Sequence, residues 1–396
     1  AVANVATTGV FTIPLMKRVG YDKNFAGAVE AVASSGGQIM PPVMGAGAFL
    51  MAEYLGCTYS EIIKAAIIPA VLYFLCVFLQ VYLFARKHDL PGVPASEIRS
   101  PLSVIKESGY MALPLVMIII MLVTGYSPMR AGFWGVLATL AAACLKKRSR
   151  EHLFKKFVKA MKSAAKSAIG VCSACACAGI VICVLKQTGL GLKFSSAIVS
   201  MSGGNVLIAL ILAMLSSLVL GMGLPTTASY VIQATLVAPA LVNMGLLPIQ
   251  AHLFVFYFAC MACITPPVAL AAYTAAPIAQ GNPMKIGFNA FKLGLAAFVV
   301  PFAFAFSPAI LIEGSAAEIV LAIISALIGC AALAIAVTGW FAVSLDIVSK
   351  VLLFIGAICM IITGNISDVI GLVLLVLILT LAVFRSKKEK SQELKV

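Results

Sequence analysis

The 396-residue chain has a mean hydropathy of +1.09, with 62% hydrophobic and only 11% charged residues. Soluble domains carry roughly 25% charged residues, so this composition excludes a soluble enzyme and defines an integral membrane protein. The formal charge of +14 does not call for nucleic acid as a partner, because the 28 Lys and Arg lie in a few segments between apolar runs.

In chain order, a first helix carrying Pro14 ends at the basic junction of Lys17, Arg18 and Lys23. A segment broken at its middle follows, with the stretch SSGGQIMPPVMGAGAF from Ser34 to Phe49. Apolar runs then stand at Ile67 to Phe84, Met111 to Val123 and Gly132 to Leu145, and later at Val206 to Leu220, Phe288 to Phe306, Ile319 to Val337 and Val369 to Phe384. Each matches or approaches the ~20 residues that span a bilayer as a helix. None alternates with the two-residue period of a membrane barrel, so the fold class is all-α.

The basic segments lie between these runs: Arg86 to Lys106, Lys146 to Lys166, and the tail RSKKEKSQELK. Placing them in the cytoplasm, together with Lys285, Lys292 and Lys350, leaves only Lys64, Arg130, Lys186 and Lys193 outside. This is the positive-inside asymmetry, and it puts the C-terminus in the cytoplasm. Within Lys146 to Lys166, apolar Leu153, Phe154, Phe157, Val158 and Met161 recur at helical spacing opposite basic residues. The pattern predicts an interfacial helix lying on anionic membrane lipids, an arm between two halves of the chain.

Eleven cysteines include the clusters CSACACAG (Cys172 to Gly179) and CMAC (Cys260 to Cys263). Both sit among Ala and Gly in apolar helices, where Cys acts as a small hydrophobe, and only His252 lies near the second. A structural metal or redox site is therefore not expected. His88, His152 and His252 read as structural or surface residues.

The chain repeats itself at a constant offset of 225 residues. GVFTIPLMKRVGY (Gly9 to Tyr21) falls on ATLVAPALVNMGL (Ala234 to Leu246), so Pro14 meets Pro239 and Gly20 meets Gly245. IMPPV (Ile39 to Val43) falls on ITPPV (Ile264 to Val268), and Gly56 on Gly281. Each repeat reads as a helix, a Pro/Gly-broken helix and a further long helix. The first junction is basic and the matching NMGLLPIQ (Asn243 to Gln250) is uncharged, so the two repeats have opposite orientations. Inverted repeats with interrupted helices are the signature of a secondary transporter whose site lies near the midplane.

The breaks follow from the same physics. Tandem proline removes backbone donors and interrupts the helical ladder, which lipid cannot compensate. Such a break persists where it lines a wet cavity or an ion. Ser34, Ser35 and Gln38 add side-chain oxygens beside Pro41 and Pro42, and Gly36 and Gly37 let a ligand approach bare backbone. That oxygen-rich setting suits Na⁺, while the half-helix N-terminus beyond the break suits an anionic substrate. LGMGLPTTASY (Leu220 to Tyr230) reads as the tip of a re-entrant hairpin, bringing Thr226 and Thr227 to the second break. By the repeat, a matching first tip falls just before residue 1, so the chain is expected to begin inside a hairpin, as a fragment that does not transport alone.

The motifs GYDKNFAGAVEAVASSGGQIMPPVMGAGAF, GMGLPTTASYVI and ACITPPVALAAY closely resemble the large membrane subunit of the TRAP (tripartite ATP-independent periplasmic) transporters. The resemblance is to the form fused to its small subunit and paired with TAXI-type periplasmic binding proteins, and it covers about residues 1 to 310. It implies an elevator-type carrier in the bacterial inner membrane that imports an organic acid delivered by the binding protein, with the small subunit in a preceding part of the chain and a Na⁺ or H⁺ gradient as the drive. No other cofactor is implied. The site residues it implies are Ser34, Ser35, Gly36, Gly37, Pro41 and Pro42 in the first break, to which the oxygen argument adds Gln38. In the hairpin tip they are Gly221, Gly223, Pro225, Thr226 and Thr227, and in the second break Cys263, Thr265, Pro266 and Pro267.

Four regions result: a partial first repeat over 1–86, scaffold helices with the 146–166 arm over 87–203, a second repeat over 204–310, and an extension of about three membrane helices with a basic tail over 311–396. Glu30 is the acidic residue well inside a helix of the first repeat and is the candidate for proton coupling. It lies about one turn from the cytoplasmic end, where a long side chain reaches water, so H⁺ and Na⁺ both remain open. An intramembrane enzyme lacks its motifs here, with no G-x-S-x-G or H-E-x-x-H. An ion channel or a carrier independent of a binding protein is the alternative.

Overall fold

The computed structural model describes residues 1–98, 100–145, 153–362 and 364–393. The first repeat comprises α1 (Val2–Val19), α2 (Lys23–Gly36), α3 (Ala46–Leu55) and α4 (Tyr59–Lys87). The middle of the chain holds α5 (Pro101–Ser108), α6 (Leu113–Val123), α7 (Pro128–Leu145), α8 (Leu153–Gln187) and α9 (Leu190–Met201). The second repeat runs through α10 (Val206–Gly221), α11 (Thr226–Leu236), α12 (Ala238–Asn243), α13 (Pro248–Met261), α14 (Leu270–Ala279), α15 (Pro283–Leu293) and α16 (Ala296–Phe306). An extension of α17 (Ala316–Thr338), α18 (Ile347–Ile361) and α19 (Asn365–Glu393) follows. Among the described residues the only ladder pairs the two-residue strands Trp340–Phe341 and Val343–Ser344. The protein is an all-α, multi-pass membrane protein, with six described segments long and apolar enough to cross a bilayer.

Local chemistry sets the helix ends of the repeats. The Asp22 carboxylate accepts the Asn24 and Phe25 amides and starts α2, as the Asn282 side chain starts α15. Gly20 and Gly245 stop the preceding helices at φ 108° and 95°, a backbone region that favours glycine. At the offset of 225, the bounds of α2 fall on those of α13, Lys23 on Pro248 and Gly36 on Met261, and α1 falls on α11 plus α12.

The two repeats run in opposite senses. At the start of α2, Asn24 accepts the backbone N–H of Asn282 at 2.8 Å, so α2 begins on the face where α15 begins. At the start of α13, the Gln250 amide donates to the Phe304 carbonyl at 2.6 Å, so α13 begins on the face where α16 ends. Because α15 and α16 form one 24-residue crossing, α2 and α13 enter from opposite sides. α13 lies at the centre, buried on all sides from Leu253 to Ile264, as expected of a helix that is apolar all round.

Charge follows the two faces. On one face Arg18 pairs with Glu97 at 2.6 Å, Lys87 donates to the Thr338 carbonyl at 3.1 Å, and Arg385 pairs with Asp346 at 2.7 Å. On the other, Glu61, Lys64 and Glu313 line a cavity of about 670 Å³, and Glu313, Glu318 and Asp368 line one of about 550 Å³.

Two elements differ from the sequence reading. The apolar run from Phe288 to Phe306 is not one helix: it is interrupted at Gly294 and Leu295, where the Gln80 amide caps the Leu293 carbonyl at 2.9 Å. The basic arm is not a separate helix in its described part. From Leu153 it runs unbroken into the apolar span ending at Gln187, because no Gly or Pro stands before Gly170 to stop it; residues 146–152 lie outside the described residues. The extension packs mainly on the first repeat, with α17 lying along α4. Gly329 admits a close approach of α18, where a Cβ would stand 3.0 Å from the Ala357 carbonyl.

Candidate functional site

Both breaks are built alike. In the first, the Gln38 amide donates to the Ser35 carbonyl and the Ile39 amide to that of Gly36; in the second, Cys263 donates to Cys260 and Ile264 to Met261. These four pairs correspond at the same offset, so the fold repeats down to single hydrogen bonds. Each break then passes through a cis Pro-Pro bond, Pro41-Pro42 and Pro266-Pro267. The chain closes back by Gly45 N–H on the Gln38 carbonyl at 2.7 Å and by Ala271 N–H on the Cys263 carbonyl at 2.9 Å.

Aromatic hydroxyls hold the first break. Tyr59 donates to the Pro42 carbonyl at 2.9 Å, and Tyr73 to the Val32 carbonyl at 3.0 Å. Gly36 lies flat against the Tyr73 ring: a Cβ there would stand 2.2 Å from Cε1. Ser34, Ser35 and Gly36 are buried and Gly37 is exposed. The Ser35 hydroxyl and the Gln38 amide nitrogen are buried and make no hydrogen bond. Each such group costs about 1–3 kcal/mol when it lacks a partner.

The hairpin meets the second break. α10 enters, the chain turns through Gly223 at φ 76°, and α11 leaves after Pro225. The Thr226 hydroxyl lies 3.8 Å from the Cys263 sulfur. Gly221 is pressed between Ala262 and Ser229, where a Cβ would stand 2.8 Å from both. Below the tip, the Gln233 amide bridges the arms by donating to the Ser217 carbonyl at 2.9 Å and to Ser229 at 2.8 Å. Thr265 turns back on its own helix, donating to the Met261 carbonyl. Thus Thr226 and Cys263 come together as expected, while the contacts of the first break run to α1 and α4.

Glu30 departs from the expectation that it reaches water. It is 5% exposed, because its helix turns this side chain toward α1, where Gly9 leaves room for it. The Thr8 hydroxyl lies 2.5 Å from Oε1, the Thr12 hydroxyl 2.5 Å from Oε2, and Ser34 Oγ 3.2 Å from Oε1. Asn4 extends the network by donating to Ser34 at 2.9 Å. No Lys or Arg pairs with Glu30 among the described residues.

Sequence reasoning missed Asn4, Thr8 and Thr12. The available signal was a stripe of polar residues at i, i+4 and i+8 on an otherwise apolar helix. The repeat places Ser229 and Gln233 where Asn4 and Thr8 stand, but puts Val255 at the place of Glu30, so the carboxylate belongs to one repeat only. His252, read as structural or surface, is partly buried with its Nδ1 2.8 Å from the Tyr230 hydroxyl.

Interrupted helices entering from opposite faces, one closed by a hairpin tip, define an inverted-repeat membrane transport protein. Residues 1–319 match the family described as "Tripartite ATP-independent periplasmic transporter, DctM component". The chain belongs to that family, and is accordingly a transporter component and not an enzyme. It is 22% identical over 305 residues to the "Uncharacterized protein YgiK" of Salmonella typhimurium, covering 76% of this chain and 68% of that protein. It is 23% identical over 286 residues to the "C4-dicarboxylate TRAP transporter large permease protein DctM" of Pseudomonas aeruginosa, covering 71% of this chain and 65% of that protein.

Proposed function

We propose that the chain is the permease part of a secondary carrier that imports an organic acid delivered by a periplasmic TAXI-type binding protein. The small membrane subunit is its second partner. One observation carries this reading: the two breaks enter from opposite faces, and the hairpin tip closes on one of them through Thr226 and Cys263. Exposed backbone at membrane depth is stable only where it meets protein or a hydrated ligand. The unpartnered Ser35 and Gln38 groups supply further ligand-seeking atoms. The basic face, with Arg18, Lys87 and Arg385, is assigned to the cytoplasm of a bacterial inner-membrane protein, and the C-terminus with it. Movement is assigned to an elevator in which hairpin and broken helices travel together.

Glu30 is the proposed seat of coupling to H⁺, because it is a buried carboxylate with no Lys or Arg partner among the described residues. The Thr8 and Thr12 hydroxyls both lie within hydrogen-bond distance of the Glu30 carboxylate oxygens, the geometry of charge-assisted hydrogen bonds. A hydroxyl has one proton to donate, and Thr8 also lies 2.8 Å from the Asn4 carbonyl while Thr12 lies 3.1 Å from that of Thr8. With Glu30 ionised, both threonines donate to it; with Glu30 protonated, it donates to one of them, which turns back to its backbone carbonyl.

The test is uptake of labelled organic acids into proteoliposomes holding the permease. Saturable uptake that requires the soluble binding protein supports the assignment. Flux that neither saturates nor needs that protein contradicts it and indicates a channel.

A further inference from the structure

A cavity of about 190 Å³ opens on the basic face, and no residue of either break lines it. Its polar lining is Lys87, His88, Lys292, Asn289, Thr338 and Gln80, with no carboxylate among the residues that line it. The apolar floor is formed by Phe25 and Phe84, stacked with ring centroids 3.7 Å apart. The basic side chains come from separate elements, Lys87 and His88 from the end of α4 and Lys292 from α15, while Thr338 belongs to the extension. Lys350 adds a third lysine nearby, its Nζ 2.8 Å from where a Gly339 Cβ would stand.

The neighbouring acids do not neutralise this group. Asp22 is spent on the α2 amides and Glu97 on Arg18, both outside the cavity. Asp89 follows His88 in the chain but does not line the cavity. Of the cations, Lys87 has its partner in the neutral Thr338 carbonyl, and the side chains of Lys87, His88 and Lys292 are exposed at the mouth. The result is a positive, donor-rich mouth over an aromatic floor, at the boundary between the apolar helices and their polar ends. Basic pockets between membrane helices on the cytoplasmic side bind phosphate head groups. The volume is below the roughly 300–1,000 Å³ of sites for drug-sized ligands, so it fits a phosphate group with its first carbons.

We propose that this cavity is a binding site for a phosphate monoanion or diester, the head-group chemistry of an anionic phospholipid, and that its occupant bridges both repeats to the C-terminal extension. Lys292 supplies the charge and His88 a ring N–H donor, Lys87 positions the wall, and Phe25 and Phe84 cover the first carbons.

The test is the melting temperature of the detergent-solubilised permease with added phosphatidylglycerol, phosphatidylcholine or inorganic phosphate. The variant His88→Gln/Lys292→Gln is chosen because it leaves the Lys87–Thr338 hydrogen bond intact. Phosphatidylglycerol is expected to raise the melting temperature of the native chain by about 5 °C, the scale of a ligand well above its Kd. The variant should lose that rise while melting normally without lipid. An equal rise with inorganic phosphate makes a free anion the occupant; a rise with phosphatidylglycerol alone makes it a lipid. Equal rises in native and variant chains, or with phosphatidylcholine, overturn the site. So does failure of phosphatidylglycerol and inorganic phosphate alike to raise the melting temperature of the native chain.

Discussion

Single residues decide what the two ligand-seeking regions can do. Gly36 leaves no room for any side chain, since its missing Cβ would stand 2.2 Å from the Tyr73 ring. Gly36→Ala should destabilise the permease by about 1–3 kcal/mol through overpacking, read as a melting temperature lowered by several °C. Unchanged melting would show that Tyr73 yields. Thr8→Val with Thr12→Val leaves Glu30 in place but removes both hydroxyls. Losing a hydrogen bond to a charged group costs about 1.5–3 kcal/mol, so gradient-driven uptake should fall about tenfold or more. Uptake at the native rate would mean that the threonines only pack against Glu30. Glu30 was legible in the sequence as an intramembrane carboxylate, but its surroundings were not. Its partners lie on another helix, and only folding shows that the polar stripe of Asn4, Thr8 and Thr12 faces it.

The next scale is that of helices and their junctions. Thr226→Cys places a second sulfur beside Cys263, 3.8 Å from the position of the native hydroxyl. Oxidation should form a disulfide that fixes the hairpin tip to the second break and stops uptake, and reductant should restore it. Continued uptake with the cross-link verified by mass spectrometry would show that the tip need not open. At the other end of the chain, Asp346 is drawn down to about 2, first by the Ser349 hydroxyl and then by Arg385. Its folded-state value lies below the ordinary carboxylate range, so its contribution is fully present at neutral pH and is lost only as pH falls through about 2. The pair is exposed, and surface pairs contribute little. Arg385→Gln should therefore leave the melting temperature at pH 7 within about 2 °C of native. The Pro-Pro breaks, the hairpin and the three extension helices were all legible, because proline, glycine and long apolar runs act locally. The interruption of α15 and α16 at Gly294 was not, since it depends on Gln80 reaching across from α4 to take the Leu293 carbonyl.

On the scale of the whole molecule, the constant offset between the repeats already contained the architecture. An inserted residue would have shifted one repeat, yet α2 and α13 coincide end to end. Arg18, Lys87 and Arg385 gather on one face, as the spacing of the basic segments along the chain leads one to expect. The sequence did not reveal the asymmetry between repeats, in which a hydroxyl-caged carboxylate stands in one and Val255 at its counterpart. That asymmetry is the reason proton coupling is proposed for the first repeat. The direct test is uptake by the reconstituted permease with its binding protein under separately imposed H⁺ and Na⁺ gradients, with Glu30→Gln in parallel. The account predicts uptake driven by H⁺ that is lost in Glu30→Gln. Uptake driven by Na⁺ and indifferent to Glu30→Gln would contradict it and move coupling to the Ser34, Ser35 and Thr226 oxygens of the breaks.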